Sequence, residues 1–299
     1  MNMTIFAEKG GEEMDFLLNW SDSVNYDRVD TINEDFILIN DLLVSPRLFF
    51  PIKLDVTFSV ICTKGRLKGA INLKEFDEQA PCILTVQSGK ILQFESISND
   101  FRGMALVMSQ HFFDGFNIDT EHSFYMSMFI QNNPCTVLTV KEMDLMLSHF
   151  NIIQEAVRMI DNPFRLKIVK HLTLAFFYST GHLMYKIPSD TKSSKREVMA
   201  NKFLNLVELN YKKQRNVEFY SGKLSLTPKY LSKLIKEISG NSASDWIHKY
   251  VILEAQSLLR STDMTVQQIS DELNFTSQSF FGKYFKQHVG ISPRDYRNS

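Results

Sequence analysis

The chain has 299 residues, of which 44% are hydrophobic and 24 are phenylalanine, so wholesale disorder is excluded. The formal net charge of −1 divides unevenly: residues 191–299 hold 17 Lys and Arg against 10 Asp and Glu, a charge of +7, and residues 1–190 carry −8. No stretch approaches the roughly 18 uninterrupted apolar residues of a membrane span, and no signal peptide is recognisable at the start. We expect about two domains, the basic one suited to nucleic acid or another acidic surface.

Three cysteines, Cys62, Cys82 and Cys135, are odd in number and widely spaced, and no Cys-x-x-Cys pair occurs. This pattern predicts neither a disulfide framework nor a cysteine-based metal site. A reducing, cytoplasmic location fits it best.

From about residue 37 to residue 108, apolar and polar residues alternate with a period of two. Residues 54–60 and 66–73 show the alternation, and residues 82–86, 91–97 and 104–108 are further short strand candidates. Several short strands at this spacing predict an antiparallel β-sandwich or a small barrel. The first 35 residues remain unassigned.

After Pro134 the apolar spacing becomes helical. Six apolar residues follow one another at spacings of 3, 4, 3, 4 and 3, namely Met143, Met146, Phe150, Ile153, Val157 and Ile160. This seam has the heptad-like form of one helix face, and two interpretations of it have equal weight. It either covers the sandwich or contacts a second copy of the chain as a dimerisation helix. A second helix is predicted from about residue 164 to residue 185.

A polar, proline-marked segment at residues 188–196 is the best domain boundary in the chain. It separates a domain at residues 1–187, whose helical part is 138–186, from a C-terminal domain at residues 197–299.

The basic C-terminal third contains an internal duplication. Residues 217–240 match residues 266–290, at an offset of 49 up to the turn and of 50 after it. Each copy has the pattern of a short helix, a tight turn and a second helix, which is the helix-turn-helix layout. The second helix of each copy is called a reader helix below. Cap patterns support these bounds: Thr227 precedes Pro228, Thr265 precedes Gln268 by three residues, and a helix at about 243–261 joins the copies.

The second copy and the segment that follows it, Gly290-Ile-Ser-Pro-Arg-Asp-Tyr-Arg297, closely resemble the signature of the AraC/XylS family of bacterial transcription regulators. Tyr230-Leu231 and Glu254-Ala255 match that family too, and the resemblance covers about residues 196–297. It implies an all-α domain of two helix-turn-helix units behind a cupin-like sensor and dimerisation domain. The expected fold class is therefore multi-domain α+β. Val251 departs from the family, where many members carry an arginine, and this affects one local contact.

The resemblance also implies a function: a sequence-specific DNA-binding transcription regulator, expected to be an activator and a homodimer. Its implied partners are double-stranded DNA, RNA polymerase and a small-molecule effector. A reader helix in the major groove needs polar side chains that reach base edges, with cations beside them for the phosphates. Carried over position by position, the implied base-reading residues are Lys229, Ser232, Lys233, Gln278, Ser279 and Lys283. The implied phosphate contacts are Lys236 and Lys286.

Five histidines before residue 190 are scattered rather than clustered, and they are His111, His122, His149, His171 and His182. Because cupin metal sites need clustered histidines with a carboxylate, we expect no metal, no cofactor and no enzyme activity. Two alternatives stay open. The N-terminal domain is a catalytic cupin with a DNA-binding appendage, or the protein is a ligand-free scaffold whose Met143–Ile160 seam recruits a partner.

Overall fold

A computed structural model describes residues 29–33, 35–42, 46–116, 130, 133–186 and 195–299. The chain divides into two compact units, Met1–Pro188 and Ser189–Ser299. His122 and residues 188–194 of the predicted linker lie outside the described residues. Within the described part, no helix is long and apolar enough to cross a membrane.

The first unit contains two antiparallel sheets. The described strands are β1 (Val29–Ile32), β2 (Phe36–Ile39), β3 (Ile52–Lys53), β4 (Val56–Lys64), β5 (Arg66–Ile71), β6 (Lys74–Gln79), β7 (Cys82–Val86), β8 (Ile91–Ile97), β9 (Arg102–Ser109) and β10 (Cys135–Val137). One sheet has the order β1-β2-β9-β4-β7-β10, and the other has the order β3-β8-β5-β6. A short 3-10 helix at Pro46–Phe49 precedes β3. The predicted antiparallel strand region is confirmed.

The six-stranded sheet is covered on both faces. In β4, seven consecutive residues from Val56 to Cys62 are buried. Val60 belongs to a core that also contains side chains of the other sheet, whereas Ile61 belongs to a second core shared with helices. Thr57 and Ser59, the polar members of the predicted alternation, are therefore buried as well. The Ser59 and Thr85 hydroxyls lie 3.2 Å apart and form a hydrogen bond, which offsets the cost of burying them.

Three helices of the first unit are described: α1 (Gln110–Asp114), α2 (Val140–Arg158) and α3 (Arg165–Lys186). Helix α2 begins with a capping box, in which Thr139 and Glu142 satisfy each other's backbone N–H groups. At its other end, Arg158 donates two hydrogen bonds to Asp30 of β1, at 2.7 and 2.9 Å. Partial burial acts to raise the pKa of Asp30, but the hydrogen bonds from Arg158 and Gln154 outweigh it and lower that pKa.

The predicted dimerisation face of α2 lies inside its own unit, so that assignment is corrected. Five of its six residues, Met143, Met146, Phe150, Ile153 and Val157, are buried in the core shared with the six-stranded sheet and α3. Ile160 is 77% exposed and follows the helix. A side chain that is already covered by its own sheet has no surface left for a second chain. The alternative interpretation, in which the seam covers the sandwich, describes what the structure shows.

The three cysteines come together across adjacent strands despite their wide spacing in sequence. Cys62 and Cys82 are direct partners in the β4–β7 register, and Cys135 lies on β10, which pairs with the other edge of β7. All three are free thiols. Contact with Cys82, together with burial, raises the pKa of Cys62, so this thiol stays protonated.

The second unit is all-α. Its helices are α4 (Lys195–Asn210), α5 (Val217–Lys223), α6 (Pro228–Ser239), α7 (Ala243–Ser261), α8 (Val266–Glu272), α9 (Gln278–Val289) and α10 (Pro293–Asn298). Helix α7 packs against α4, α6, α8, α9 and α10, and residues along it, including Ile247, Val251 and Ala255, are fully buried. The linker helix is therefore the central element of this unit, and Val251 fills an apolar position in it.

Candidate nucleic-acid interface

The two predicted helix-turn-helix units have the same turn geometry. In the first unit, between α5 and α6, Ser225 has a φ of 55°, and in the second, between α8 and α9, Asn274 has a φ of 54°. A backbone hydrogen bond of 2.9 Å closes each turn, from Leu226 to Ser221 and from Phe275 to Ser270. These residues correspond at the offset of 49. The duplication read from the sequence is thus a duplication of backbone structure.

The two reader helices, α6 and α9, also begin and end alike. Each has 12 residues and starts at a hydroxyl cap, where Thr227 accepts from the Tyr230 N–H and Ser277 from the Phe280 N–H, both at 3.2 Å. Each ends at a glycine in the left-handed region, Gly240 or Gly290. Because that conformation strains a residue with a Cβ, these glycines fix where both helices stop.

Each reader helix buries one face and presents the other to solvent. Leu231 and Ile235 of α6 and Phe281 and Phe285 of α9 are 0–1% exposed and anchor the two helices. Seven of the eight predicted DNA-contacting side chains are exposed, namely Lys229, Lys233, Lys236, Gln278, Ser279, Lys283 and Lys286. Ser232 is half-buried, and Gly282 occupies its equivalent position in α9.

One predicted base-reading residue has a carboxylate beside it. The Lys233 ammonium lies 3.8 Å from Glu237, one turn further along α6, and Arg196 of α4 pairs with the same carboxylate. All three side chains are largely exposed, so these pairs contribute little to stability. Lys233 can leave Glu237 for a DNA acceptor at small cost.

A buried carboxylate on the linker helix α7 joins the segment before the first helix-turn-helix unit to the second unit. Glu254 of α7 is 1% exposed, accepts a hydrogen bond from the Tyr211 hydroxyl at 2.9 Å and pairs with the Lys212 ammonium at 3.1 Å. Lys212 also reaches Glu272 at the end of α8, at 2.5 Å. Burial, the largest single effect, acts to lower the pKa of Lys212, but the two carboxylates outweigh it and raise that pKa. The charged network therefore ties the α4–α5 connection to α7 and α8.

Arg215 makes a second link between the units. Its guanidinium lies over the Phe275 ring, 3.9 Å from the centroid, and donates to the Leu273 and Asn274 carbonyls. Those carbonyls belong to the turn that precedes the second reader helix. Arg215 itself belongs to the connection before the first unit, so the segment that precedes the first unit positions the turn of the second. Both reader helices also pack against α7, so the two helix-turn-helix units form one body.

A histidine, a tyrosine and a second histidine lie between α7 and α9. His248 is hydrogen-bonded through Nδ1 to the Tyr284 hydroxyl at 2.6 Å and through Nε2 to the Ser244 hydroxyl at 3.0 Å. The His288 ring is 5.0 Å from the His248 ring. Burial, with the charge of His288 as the next cause, lowers the pKa of His248. A neutral imidazole therefore helps to hold the second reader helix on α7.

Residues 220–299 match a family model described as a helix-turn-helix domain. The regulatory protein PocR of Salmonella typhimurium is 27% identical over 110 residues, which are 37% of this chain and 34% of PocR. The transcriptional activator RhaS of Mannheimia succiniciproducens is 21% identical over 159 residues, 53% of this chain and 55% of RhaS. The C-terminal domain is an AraC-type helix-turn-helix domain. The chain spans less than two thirds of the length of either curated relative.

A solved structure extends over more of the chain. The crystal structure of an apo ToxT variant from Vibrio cholerae covers 89% of this chain and 97% of its own, at 17% identity and a TM-score of 0.42.

The end of the AraC-type domain has a structural role that its sequence motif did not reveal. Ser292 caps α10, and Arg297 donates from Nε to the Leu259 carbonyl at 3.0 Å and from a terminal nitrogen to the Met264 carbonyl at 2.5 Å. Arg260 lies over the Tyr296 ring at 5.0 Å, and Tyr296 is half-buried rather than a full core residue. Arg297 thus satisfies carbonyls near the end of α7 and just before α8.

No histidine, cysteine and carboxylate cluster that could hold a metal occurs among the described residues. His111 lies 3.4 Å from Asp35, and His149 lies 2.9 Å from the Ser179 hydroxyl, between α2 and α3. Each of these histidines thus has a local partner.

Proposed function

We propose that this protein is a sequence-specific DNA-binding regulator of transcription that acts as an activator. The observation that carries the proposal is the equivalence of the two reader helices. Lys233 corresponds to Lys283 and Lys236 to Lys286, each at an offset of 50, and all four are exposed on capped helices of equal length. The names of the regulator PocR and the activator RhaS support the same function.

The positions of these lysines along each helix suit different parts of the DNA. Residues in the first turns of a reader helix approach base edges in the major groove. We therefore assign Lys229, Ser232 and Lys233 of α6, and Gln278, Ser279 and Lys283 of α9, to base reading. Lysine and glutamine can pair with guanine and adenine, at about 1–3 kcal/mol of discrimination for each good pair. Lys236 and Lys286 lie nearer the helix ends and are assigned to phosphates.

Both units are expected to bind one DNA duplex at the same time. Both reader helices pack against α7, and the Glu254 network and the Arg215 contacts tie the segment before the first unit to the second unit, so the reader helices have a fixed separation. A fixed separation predicts an operator with two conserved segments at constant spacing, each read by one helix.

Selection of bound genomic fragments by the full-length protein tests this function. We expect enriched fragments that share two short segments at constant spacing. On such a fragment, Lys236→Ala and Lys286→Ala should each reduce the slope of log affinity against log salt by about 1, because each removes one phosphate contact. The control is Lys202→Ala, an exposed lysine of α4, which should leave the slope unchanged. Fragments with no common sequence would contradict sequence-specific binding.

We infer that the protein is a homodimer that uses the outer face of α2. Leu145, Ile152 and Met159 follow one another at intervals of seven residues and are 46%, 49% and 47% exposed. Leu145 and Ile152 are exposed residues of α2, and Met159 directly follows the helix. Apolar residues repeated every seven positions are typical of helix pairs. The occupant we assign is α2 of a second copy.

Sedimentation of the full-length protein tests the dimer. Leu145→Lys with Ile152→Lys should convert a dimer to a folded monomer, because both side chains already face solvent. The control is Val140→Lys, at an exposed position outside the row, which should leave the dimer intact. A wild-type protein that is monomeric at micromolar concentration would contradict this assignment.

The remaining partners are proposed from the family of the C-terminal domain. A transcription activator contacts RNA polymerase at its promoter in the cytoplasm, and a small-molecule effector would bind the N-terminal unit. An effector that binds only the folded state raises the midpoint of thermal unfolding. A compound that raises the midpoint of thermal unfolding of the first unit and also changes the affinity for the operator would be the effector.

A further inference from the structure

Each reader helix exposes an aromatic ring in its first turn. Tyr230 is 51% exposed and Phe280 is 54% exposed. They are equivalent in the duplication, at an offset of 50, and each is the third residue after its helix cap. A single exposed aromatic residue would be ordinary on a protein surface. Here the same exposed position is aromatic in both copies.

Core packing does not account for these rings. The next residue in each helix, Leu231 or Phe281, is fully buried and fills the core. The Phe280 ring touches only the edge of the core, with its centroid 6.0 Å from that of Phe275. The cap hydrogen bonds use the backbone N–H of each aromatic residue and not its side chain. More than half of each ring therefore remains available for a partner.

The neighbouring side chains indicate what that partner is. Tyr230 follows Lys229 and precedes Lys233 by three residues, and Phe280 has the same relation to Ser279 and Lys283. All four of these neighbours are exposed and assigned to base reading. A ring among base-reading groups in the first turn of a reader helix would face the floor of the major groove. The apolar group that DNA presents there is the C5-methyl of thymine.

We propose that Tyr230 and Phe280 each contact a thymine methyl group, so that each operator segment contains one thymine selected through its methyl. The proposal rests on the proposed function, since it requires that both reader helices enter major grooves. It adds a second kind of recognition to that site. The lysines and Gln278 distinguish hydrogen-bonding edges, and the two rings distinguish thymine from bases that lack a methyl.

Methyl deletion in the DNA tests this contact directly. Each thymine of a selected operator is replaced in turn by deoxyuridine, which pairs identically but lacks the methyl. Wild-type affinity should fall about fourfold at one position in each segment, which corresponds to about 0.8 kcal/mol for one buried methyl-sized group. Phe280→Ala should abolish the penalty in one segment and keep it in the other. Tyr230→Ala should show the reverse pattern, and Tyr230→Phe should retain both penalties.

The outcomes separate this proposal from the function on which it rests. Wild-type protein that binds a specific operator but shows no uracil penalty, or penalties that persist in both alanine variants, would overturn the methyl contact and leave the regulator intact. Absence of any specific operator would overturn both. The control is Ile238→Ala, at a 40% exposed apolar residue near the end of α6, which should keep the wild-type pattern. Thermal unfolding should be unchanged in all these variants because each replaced side chain is exposed.

Discussion

Replacing Glu254 by alanine should destabilise the C-terminal unit by about 3 kcal/mol. The carboxylate is 1% exposed and holds Tyr211 at 2.9 Å and Lys212 at 3.1 Å. Removing one partner of a buried ion pair costs about 3–5 kcal/mol, because the other partner is left without compensation. We expect the lower end of that range, since Lys212 keeps its contact with Glu272 and its side chain is 32% exposed.

Thermal unfolding followed by tryptophan fluorescence measures this effect. Trp246 lies in the C-terminal unit, where its indole donates to the Ser239 hydroxyl at 2.7 Å. A loss of this size should lower the midpoint of that unit by roughly 12 °C, at about 4 °C per kcal/mol for a domain of this size. Glu254→Gln keeps an acceptor for Tyr211 and should fall between alanine and wild type.

The matched control is Asp263→Ala, which removes the same charge from an exposed position of the same unit. It should change the free energy of unfolding by no more than about 0.5 kcal/mol. If Glu254→Ala behaved like this control, the buried network would not be what holds the α4–α5 connection on α7 and α8.

Three further predictions concern stability. Burial, and then the charge of His288, lowers the pKa of His248 in the folded protein, so on acidification the unfolded chain binds a proton at this residue before the folded chain does. The free energy of unfolding should therefore fall as pH drops below the ordinary histidine value of 6.5. His248→Gln should flatten this part of the pH profile of unfolding. In urea unfolding, Phe150→Ala should lower the free energy of unfolding by about 3–5 kcal/mol because this residue is 0% exposed. Val140→Ala, at a residue that is 73% exposed, should lower it by less than about 1 kcal/mol. Equal losses would contradict the packing of α2 on the sheet. In the same urea assay, Arg215→Met should lower the free energy of unfolding of the C-terminal unit by about 1–3 kcal/mol, because it removes the guanidinium that donates to the Leu273 and Asn274 carbonyls. An unchanged urea midpoint would refute these hydrogen bonds.

Short-range patterns in the sequence were sufficient to predict where the reader helices lie. The predicted hydroxyl caps and the proline after Thr227 are short-range features with their own physical causes. The structure has the predicted caps at Thr227 and Thr265, and Ser277, for which no cap was predicted, caps the second reader helix. The internal duplication added a second, independent copy of the same pattern, so the two helix-turn-helix units could be recognised together.

Periodicity alone could not show what covers the apolar face of α2. A heptad-like row of apolar residues identifies a buried face. A sheet of the same chain and a helix of a second chain can cover such a face equally well. The row from Met143 to Val157 is covered by the sheet and α3, and a weaker row at Leu145, Ile152 and Met159 is the one left in solvent. The stronger apolar signal marked the core and not the surface.

Long-range polar contacts were also beyond the sequence. From the sequence, Glu254 is a polar residue on a predicted helix. No local pattern predicts that it contacts Lys212, which lies 42 positions earlier in the chain. In the same way, Cys62, Cys82 and Cys135 looked unrelated until strand pairing brought β4, β7 and β10 together. Such contacts depend on how elements pack, which spacing along one element does not specify. The charge of the C-terminal third favoured nucleic acid or another acidic surface as a partner, but it did not show which lysines would contact that partner.

Operator binding at fixed salt tests most directly whether both reader helices read DNA sequence. Affinities of wild type, Lys233→Ala, Lys283→Ala and Lys202→Ala are measured for a selected operator and for variants altered in each segment. We predict that Lys233→Ala and Lys283→Ala bind more weakly, by about 5–100-fold, and that each loses sequence preference in a different segment, while Lys202→Ala matches wild type. If Lys233→Ala and Lys283→Ala both bound the operator as tightly and as selectively as wild type, the two helices would not be the readers.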